Sequence, residues 1–262
     1  MTDELERFRL DDRVALVPGG SGGIGVRVCR ALAGVGARVA VVGRDPDRAE
    51  AARAAIEDAG SEGLAITGDM TVRADADAAV AAVLERFGRL DVLVTAVGGR
   101  AGDALHPAEE YPDDDWNWIM DINLRSALLP SQAAARAMIA AGRGGRVLHI
   151  SSVRGNLGIH AGYSAYVAAK GALNALTRQQ ATEWAKHGIT VNAVSPTFVK
   201  TPQVASMLAD EDFRAGLERR IPLGRIAETD DLVGATLFLC SDASAFVTGQ
   251  VLLVDGGLTA CQ

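Results

Sequence analysis

Proton transfer is the chemistry suggested by one stretch of the chain, ISSVRGNLGIHAGYSAYVAAKGAL (residues 150–173). Tyr166 and Lys170 are four residues apart, so on a helix their side chains share one face, a turn from each other. A free tyrosine has a pKa near 10, and an adjacent ammonium group lowers that pKa by stabilising the phenolate. Bringing the pKa to about 7 requires roughly 4 kcal/mol of differential stabilisation. The pair therefore predicts a general acid or base that works near neutral pH.

The other hydroxyl groups of this stretch are placed differently. Tyr163 lies two helical turns from Lys170, about 10 Å along the axis and too far for direct contact, and it also suits an amphipathic core or interface position. Ser151 and Ser152 follow a predicted strand, and parallel α/β sheets bind ligands at the carboxyl ends of their strands. A serine there can hydrogen-bond a substrate oxygen, although Ser152 would also serve as a simple strand-end cap.

Seven short apolar runs, separated by helix-length segments, must position these residues. Runs that are apolar on both faces are typical of strands buried on both sides, and strands spaced by helices indicate parallel βαβ crossovers. The sequence therefore predicts an α/β fold of the Rossmann type, a doubly wound, seven-stranded parallel sheet in a single domain that spans residues 1–262. The predicted strands are 13–17, 37–43, 63–67, 90–98, 145–150, 189–195 and 250–255.

A glycine-rich turn, PGGSGGIG (18–25), follows the first predicted strand and precedes a helical segment. Glycines in this position permit a tight turn and let backbone amides approach a pyrophosphate at the N-terminus of the next helix. The turn lacks the lysine followed by serine or threonine that a phosphate-cleaving P-loop requires. Its context favours a dinucleotide site over a merely flexible loop.

The end of the second predicted strand, VVGRD, bears on which dinucleotide binds. A carboxylate at this point favours the free 2′-hydroxyl of NAD, whereas a nearby arginine favours the 2′-phosphate of NADP. Gly43 occupies the carboxylate position and Arg44 follows it, so the sequence favours NADP(H). Asp45 has the position of a helix N-cap with Pro46 in the first turn, yet it keeps NAD(H) possible, and Arg44 would also suit a solvated surface.

Composition argues against several other classes of function. The net charge of −7 leaves no basic surface for nucleic acid or anionic lipid. The three cysteines are far apart without a C-x-x-C pair and the four histidines are scattered, so we expect neither a disulfide framework nor a metal site. His149, within a strand, is interpreted as a satisfied core or cleft histidine. The charged N-terminus lacks the apolar run of a signal peptide, and no segment approaches the ~18 apolar residues of a membrane span, so we expect a cytoplasmic protein.

The least regular segment, residues 196–225, lies between the sixth predicted strand and a helix that begins near Glu228. Long segments of this kind in compact domains are often lids over a binding site. Two other loops, 98–112 and 153–162, leave the same carboxyl edge of the predicted sheet. We therefore expect the substrate to lie among these three segments, with Arg100, Arg154 and His160 facing an anionic group; separate, solvated charges are the alternative.

From about residue 10 to its end, the chain resembles the classical short-chain dehydrogenases/reductases. GGSGGIG resembles the family's cofactor turn, and YVAAK, which supplies Tyr166 and Lys170, resembles its catalytic motif. DINL, which contains Asn123, resembles the motif of the catalytic asparagine. Ser152, followed by VRG, fits the catalytic serine better than Ser151 does. VNAVSP and VTGQVLLVDGG are similar to the family's sixth and last strands.

This resemblance implies an NAD(P)(H)-dependent oxidoreductase that interconverts a secondary alcohol and a ketone by hydride transfer. Tyr166 would exchange a proton with the substrate oxygen, and Ser152 would hydrogen-bond that oxygen. Lys170 would hold the nicotinamide ribose and lower the pKa of the tyrosine. Asn123 would anchor a water that joins the lysine to solvent, or would simply mark a helix kink. The implied cofactor contacts are Gly19, Ser21, Gly23, Ile24, Gly25, Arg44, Asp69, Met70, Gly98, Tyr166, Lys170, Pro196, Val199 and Thr201.

Within the family the chain is most similar to members that act on polyols and sugar acids, such as gluconate 5-dehydrogenase, with 3-ketoacyl carrier-protein reductases and other carbonyl reductases as the alternative. The substrate is then a polyol, a sugar acid or a keto acid. The family also implies a homotetramer or homodimer, packed through the predicted helices 116–141 and 163–187. A cofactor-sensing regulator without turnover would be free to lose the tyrosine or the lysine, so we favour the enzyme.

Three departures from the family's pattern cluster near the cofactor turn. Pro18 stands where threonine is usual, TAVG (95–98) replaces Asn-Asn-Ala-Gly, and Thr197 replaces a glycine. Proline removes a hydroxyl and a backbone donor, so a bond from position 18 to the fourth-strand loop cannot form. We expect the changes at 18 and at 95–96 to compensate for one another. A proline here is tolerable if the donor that it lacks would face the cofactor cleft.

Overall fold

The computed structural model describes residues 4–159 and 162–261. A seven-stranded parallel sheet, in the order β3-β2-β1-β4-β5-β6-β7, runs through the described chain and confirms the predicted fold and all seven predicted strands. The strands are β1 (Val14–Pro18), β2 (Arg38–Gly43), β3 (Gly63–Thr67), β4 (Val92–Thr95), β5 (Gly145–Ile150), β6 (Ile189–Pro196) and β7 (Val251–Val254). The helices are α1 (Gly23–Gly34), α2 (Pro46–Glu57), α3 (Arg73–Phe87), α4 (Asp113–Met120), α5 (Ser126–Ala141), α6 (Ser164–Trp184), α7 (Ala205–Leu208), α8 (Glu211–Arg220) and α9 (Val233–Cys240). None of these helices is long and apolar enough to cross a membrane.

Apolar side chains cover both faces of the sheet. Ala15 and Val17 of β1 pack into a core with α1, α2 and α9, whereas Val14 and Leu16 pack into a second core with α3 and α5. Alternate residues of a strand point to opposite faces, so a strand covered on both sides is buried at every residue. This explains why the predicted strands are continuous apolar runs rather than alternating ones.

Local capping signals determine where several helices begin and end. The Asp45 carboxylate accepts the amides of Asp47 at 3.0 Å and Arg48 at 3.2 Å, and Pro46 opens α2, as predicted. Gly88 ends α3 in the left-handed conformation with φ of +74°, also as predicted. The Asp45 carboxylate is therefore engaged at the start of a helix.

The predicted helix 116–141 is interrupted. It consists of α4, a π-helical turn at Asp121–Arg125, and α5. Asn123 lies in this turn, in agreement with the alternative prediction that it marks a helix kink. Single π-turns inside α-helices are frequent at functional sites. The second long helix, predicted over 163–187, is α6 followed by one 3-10 turn, Ala185–His187.

The pairing pattern explains why Pro18 is tolerated at the end of β1. The ladder with β4 joins Ala15 to Val92 and Leu16 to Leu93, and it ends before the proline. The Pro18 carbonyl still accepts the amide of the β4 loop at Ala96, at 2.8 Å. Because the amide and carbonyl of one residue in a parallel strand face the same neighbour, the donor that proline lacks would face β4. The proline is therefore tolerated because the ladder with β4 has ended, and not because the donor that it lacks would face the cofactor cleft.

The segment 196–225 is folded rather than irregular. After the last residue of β6 it forms a 3-10 turn, Pro202–Val204, and then α7 and α8. The rings of Phe198 and Phe213 meet edge-on, 5.6 Å apart, which ties α8 to the start of the segment. The Leu223 amide donates to the carbonyl of Gly256 at 3.1 Å, so the segment returns along the end of β7. Its role as a lid stays a prediction.

Candidate active site

The carboxyl ends of β1, β4 and β5 bring the predicted catalytic and cofactor residues to one edge of the sheet. The three strands are neighbours, so the glycine turn, the loop after β4 and the two serines after β5 lie side by side. The helix that carries Tyr166 and Lys170 begins shortly after β5. The topology thus assembles a site from segments that are far apart in the sequence.

Tyr166, Ser152 and Lys170 lie together where β5 meets α6. Ser152 lies close enough to Tyr166 to act on its phenol, and the Ser152 hydroxyl accepts the amide of Arg154 at 3.2 Å. The Lys170 ammonium is 5.8 Å from the centroid of the tyrosine ring. Ser151 instead donates from its hydroxyl to the Asn174 side-chain oxygen at 2.6 Å. The geometry therefore supports Ser152 over Ser151 as the serine of the site.

Burial governs the ionisation of this group. Burial raises the pKa of Tyr166 above its ordinary value, while the hydrogen bond from Ser152 and the charge of Arg154 act to lower it. Burial also lowers the pKa of the Lys170 ammonium to about 8. We expected the lysine to bring down the pKa of the tyrosine, but in this structure desolvation of the phenol dominates, and Arg154 is the cation that acts on it.

Asn123 holds the loop after β4 next to the lysine. Its side-chain oxygen accepts the amide of Gly99 at 2.8 Å, and its Nδ2 donates to the carbonyls of Gly99 and Ile119 at 3.1 Å each. Gly98, with φ of +144°, is required here, because a Cβ would lie 2.8 Å from the Asn123 oxygen and 3.2 Å from the Lys170 nitrogen. A side chain at position 98 would push against both polar groups. The predicted anchoring of a water by Asn123 stays a prediction.

The glycine turn and the first residues of α1 form a cradle that fits a pyrophosphate. A Cβ at Gly25 would lie 2.1 Å from the carbonyl oxygen of Gly19, so only glycine allows this close approach. The N-cap Gly22 brings no side-chain acceptor to the first amides of α1. Free amides and the positive end of the helix dipole attract a phosphate anion. Ile24 packs against the core beneath the turn.

Arg44 and Arg48 follow β2, and the Arg48 guanidinium contacts the glycine turn. Arg44 is exposed, and within the described ranges it has no hydrogen bond or ion pair. Arg48 donates through Nη2 to the carbonyl of Ser21 at 2.9 Å. The Ser21 hydroxyl lies against Gly43, where a Cβ would come within 2.2 Å of it. Sequence reasoning missed Arg48, because its contact joins α2 to a turn 27 residues away in the chain.

Asp69 and Met70 follow β3 at the same edge of the sheet. One oxygen of Asp69 accepts both the amide of Thr71, at 2.9 Å, and its hydroxyl, at 2.7 Å. The Asp69 amide donates to the carboxylate of Asp75 at 2.8 Å, and the Met70 side chain is buried. These bonds fix the loop where the adenine end of a dinucleotide is expected.

The start of the segment 196–225 closes over the glycine turn. Pro196 ends β6, and Val199 is buried and bridges to Ala227. Thr201 packs against the turn so closely that a Cβ at Gly23 would lie 2.7 Å from the Thr201 Cβ. Thr201 therefore lies at the glycine turn, and the cofactor contacts of Pro196 and Val199 stay predictions.

A buried polar chain lies behind the site. The Thr95 hydroxyl is 2.8 Å from Nδ1 of His149. The other ring nitrogen of this histidine, Nε2, is 3.0 Å from the side-chain carbonyl oxygen of Gln180. The side-chain amide of Gln180 donates to the Ser131 hydroxyl at 2.8 Å. The carbonyl oxygen can only accept, so Nε2 carries the proton and the threonine donates to Nδ1. His149 is fully buried and satisfied, as predicted. Thr95 is thus paired with this histidine, and the expected compensation between positions 18 and 95–96 stays a prediction.

The structure describes two of the three predicted substrate residues, Arg100 and Arg154. Arg100 is exposed, donates to the Asp103 carboxylate at 2.8 Å and stacks over the Trp118 ring at 5.5 Å, so its charge is already paired. Arg154 is buried in the 3-10 turn after β5. His160 lies outside the described residues. In the described part of the chain, no three His, Cys, Asp or Glu side chains are arranged to hold a metal ion.

Comparisons with known proteins agree with this geometry. A family model described as Enoyl-(Acyl carrier protein) reductase matches residues 19–259. The chain is 37% identical to gluconate 5-dehydrogenase of Gluconobacter oxydans over 252 residues, 96% of each protein. Among solved structures, a short-chain type dehydrogenase/reductase from Mycobacterium marinum is 33% identical with a TM-score of 0.92, covering 99% of this chain and 100% of that one. A gluconate 5-dehydrogenase from Burkholderia cenocepacia, in complex with NADP and tartrate, is 36% identical with a TM-score of 0.93. The match covers 99% of this chain and 100% of that one.

We expect His149 to make the stability of the protein depend on pH. Burial lowers its pKa to about 4 in the folded state, below the ~6.5 of an unfolded chain. As the pH falls through this window the unfolded state binds the proton first, so the free energy of unfolding decreases. From pH 7 to pH 5 this histidine should remove about 2 kcal/mol, measured by urea unfolding at both pH values.

Two variants isolate the contribution of the buried histidine. His149→Gln should lose this part of the pH dependence, whatever its stability at pH 7. His187→Gln, at the partly exposed turn after α6, should keep the pH dependence of the parent protein. An unchanged pH dependence in His149→Gln would contradict the assignment.

Proposed function

The chain belongs to the short-chain dehydrogenase/reductase family, and from that membership we propose that Tyr166, Ser152 and Lys170 are the catalytic residues of an oxidoreductase, with Asn123 holding the loop beside them. The protein interconverts an alcohol and a carbonyl compound. The observation that carries the residue assignment is the grouping of Ser152 and the Lys170 ammonium, 5.8 Å from the tyrosine ring, around Tyr166 at the carboxyl edge of the sheet.

The substrate oxygen binds at the two hydroxyl groups. The Ser152 hydroxyl donates a hydrogen bond to this oxygen and stabilises the negative charge that develops on it. A nicotinamide cofactor, when bound, would supply the hydride for the substrate carbon in the reduction, or accept it in the oxidation. Because burial raises the pKa of Tyr166, the phenol is protonated at neutral pH and can donate its proton to the oxygen during reduction. Oxidation requires the phenolate, so its rate should rise with pH.

The Lys170 ammonium is held in place at the end of β5. Its Nζ donates to the carbonyl of Ile150 at 3.0 Å, which keeps the side chain pointed at the strand end. With its pKa lowered to about 8, the lysine is still mostly protonated at pH 7. A charged donor at this place can bind the ribose hydroxyl groups of the cofactor.

NADP(H) is the cofactor that we propose. The amides at the start of α1 would hold the pyrophosphate, and the unpaired guanidinium of Arg44, with Arg48 near it, would bind the 2′-phosphate. The Asp45 carboxylate caps α2 and is therefore less free to bind a ribose 2′-hydroxyl. NAD(H) is the second candidate, since Asp45 uses only one of its oxygens for the cap.

The substrate class that we propose is a polyol, a sugar acid or a keto acid. The similarity to two gluconate 5-dehydrogenases over nearly the whole chain supports this class. A 3-ketoacyl-type substrate is the second candidate, because the matching family model is described as an acyl carrier protein reductase.

We further propose a homotetramer or homodimer in the cytoplasm. Leu252 and Leu253 are more than a third exposed on the edge strand β7, and Phe246 is fully exposed. Exposed apolar side chains on an edge strand offer a surface for another chain, and sedimentation velocity would report the assembly. The three free cysteines support a reducing compartment.

Replacing the proposed acid tests the catalytic assignment. Tyr166→Phe keeps the ring and removes the ionisable proton, so turnover should fall at least about 100-fold. Binding of the reduced cofactor, followed by its fluorescence, should remain within about threefold of the parent, since the ring still packs in place. A matched control is Tyr163→Phe, whose ring lies 6.5 Å from that of Tyr166 and which should retain turnover. Full turnover in Tyr166→Phe would refute the assignment.

Replacing the unpaired arginine tests the cofactor assignment. The parent protein should bind NADPH more tightly than NADH. Arg44→Gln should weaken NADPH binding roughly 10-fold or more and leave NADH binding unchanged, because a charge-assisted hydrogen bond to the 2′-phosphate is worth ~1.5–3 kcal/mol. Arg53→Gln is the control, since Arg53 is already paired with Glu50 on α2. Equal weakening of both cofactors would contradict NADP(H) preference.

A further inference from the structure

The buried guanidinium of Arg154 influences the pKa of Tyr166, but the chemistry above gives it no contact with the substrate. Only 6% of Arg154 is exposed, and its Nη1 donates to the carbonyl of Gly158 at 3.1 Å. Among residues 4–159 and 162–261 no carboxylate lies within 4 Å of it, and its Nε and Nη2 have no acceptor. Buried charges in proteins are normally paired. Arg154 has no such partner within the described part of the chain.

The unpaired donors of Arg154 are not sealed inside the protein. The completely buried side-chain atoms without a hydrogen-bond partner in the described chain are the hydroxyl oxygens of Thr190, Ser195 and Thr236. The Nε and Nη2 atoms of Arg154 are not among them, so they retain access to solvent. A ligand that enters the site can therefore reach them.

Packing fixes Arg154 next to the catalytic group. The following residue, Gly155, packs closely against α6. A Cβ at Gly155 would lie 2.4 Å from the side-chain nitrogen of Asn174 and 2.8 Å from the backbone carbonyl oxygen of Lys170. The Arg154 amide donates to the Ser152 hydroxyl oxygen at 3.2 Å. The turn that carries the arginine is thus held against both the serine and the helix of the lysine.

A second positive charge from the segment 196–225 acts on Arg154. Burial lowers the pKa of Arg154, the charge of Arg220 at the end of α8 lowers it further, and Arg154 in turn acts on the phenol of Tyr166. Arg220 is exposed and has no carboxylate partner within the described ranges. Two like charges repel each other, and an anion bound between them would remove this repulsion.

We propose that Arg154, together with Arg220, binds a carboxylate group of the substrate. The protein then acts on hydroxy acids and keto acids in preference to neutral alcohols and ketones. The planar fork of an arginine matches the two oxygens of a carboxylate, and the anion holds the substrate carbonyl within reach of Tyr166. Arg100 is not part of this proposal, because its guanidinium already pairs with Asp103. The inference rests on the proposed alcohol–carbonyl chemistry of the same site.

A matched pair of ketones tests the proposal. In 4-oxocyclohexanecarboxylate and its methyl ester the same carbonyl is present with and without the negative charge. The parent protein should reduce the acid with a kcat/KM at least about 10-fold above that of the ester. Arg154→Gln should lower the kcat/KM of the acid roughly 10- to 100-fold and that of the ester less than threefold, the size expected for hydrogen bonds to charged groups. Arg219→Gln, one residue before Arg220 on α8, is the matched control and should change neither value.

Binding without turnover separates this proposal from the proposed function. Calorimetric titration of the cofactor-free protein with cyclohexanecarboxylate and with D-gluconate should show binding that Arg154→Gln weakens at least about 10-fold. Binding of neither anion, or equal binding by parent and variant, would overturn the carboxylate site. Reduction of the ester as efficiently as the acid would also overturn it, while leaving the oxidoreductase assignment intact. Failure of all ketones, with the anions still bound through Arg154, would count against the oxidoreductase chemistry alone.

Discussion

The hydrogen bond from the Lys170 ammonium to the carbonyl of Ile150 is the interaction on which the site depends. It joins α6, which carries the tyrosine, to the last residue of β5, after which the serines follow. Burial among neutral groups destabilises the charged form of the Lys170 ammonium, which is why its pKa is lowered. The structure offsets the cost by placing a carbonyl within 3.0 Å and by keeping position 98 free of a side chain. A close approach of Gly155 to the same helix then fixes Ser152 opposite Tyr166.

Much of the fold and the core of the site could be predicted because the signals are local. Strand positions follow from continuous apolar runs, and the start of α2 follows from Asp45 and Pro46 at adjacent positions. Tyr166 and Lys170 are one helical turn apart, so their common face can be read from spacing alone. The glycine turn is recognisable because it lies between a strand and a helix. Each of these inferences needs fewer than about ten neighbouring residues.

The parts that the sequence did not reveal depend on contacts between distant segments. The π-turn around Asn123 arises where the helix meets the β4 loop through Gly99. Nothing in the spacing shows that Thr95 pairs with His149, although this pair explains the threonine at that place. The pKa of Tyr166 depends on how deeply the phenol is buried, which is a property of the packed molecule. The unpaired state of Arg154 likewise emerges only when all neighbouring segments are in place.

The central claim is that this site moves a hydride between a cofactor and a substrate carbon while Tyr166 moves the proton. The most direct test uses NADPH carrying deuterium at C4, prepared separately with the label on each face of the ring. The purified protein is incubated with this cofactor and a panel of ketones, keto acids and ketoses, and the products are examined by mass spectrometry. The account predicts an alcohol that carries one deuterium on its carbinol carbon with one of the two labelled cofactors. An alcohol without deuterium from either cofactor, or no alcohol from any compound of the panel, would contradict it.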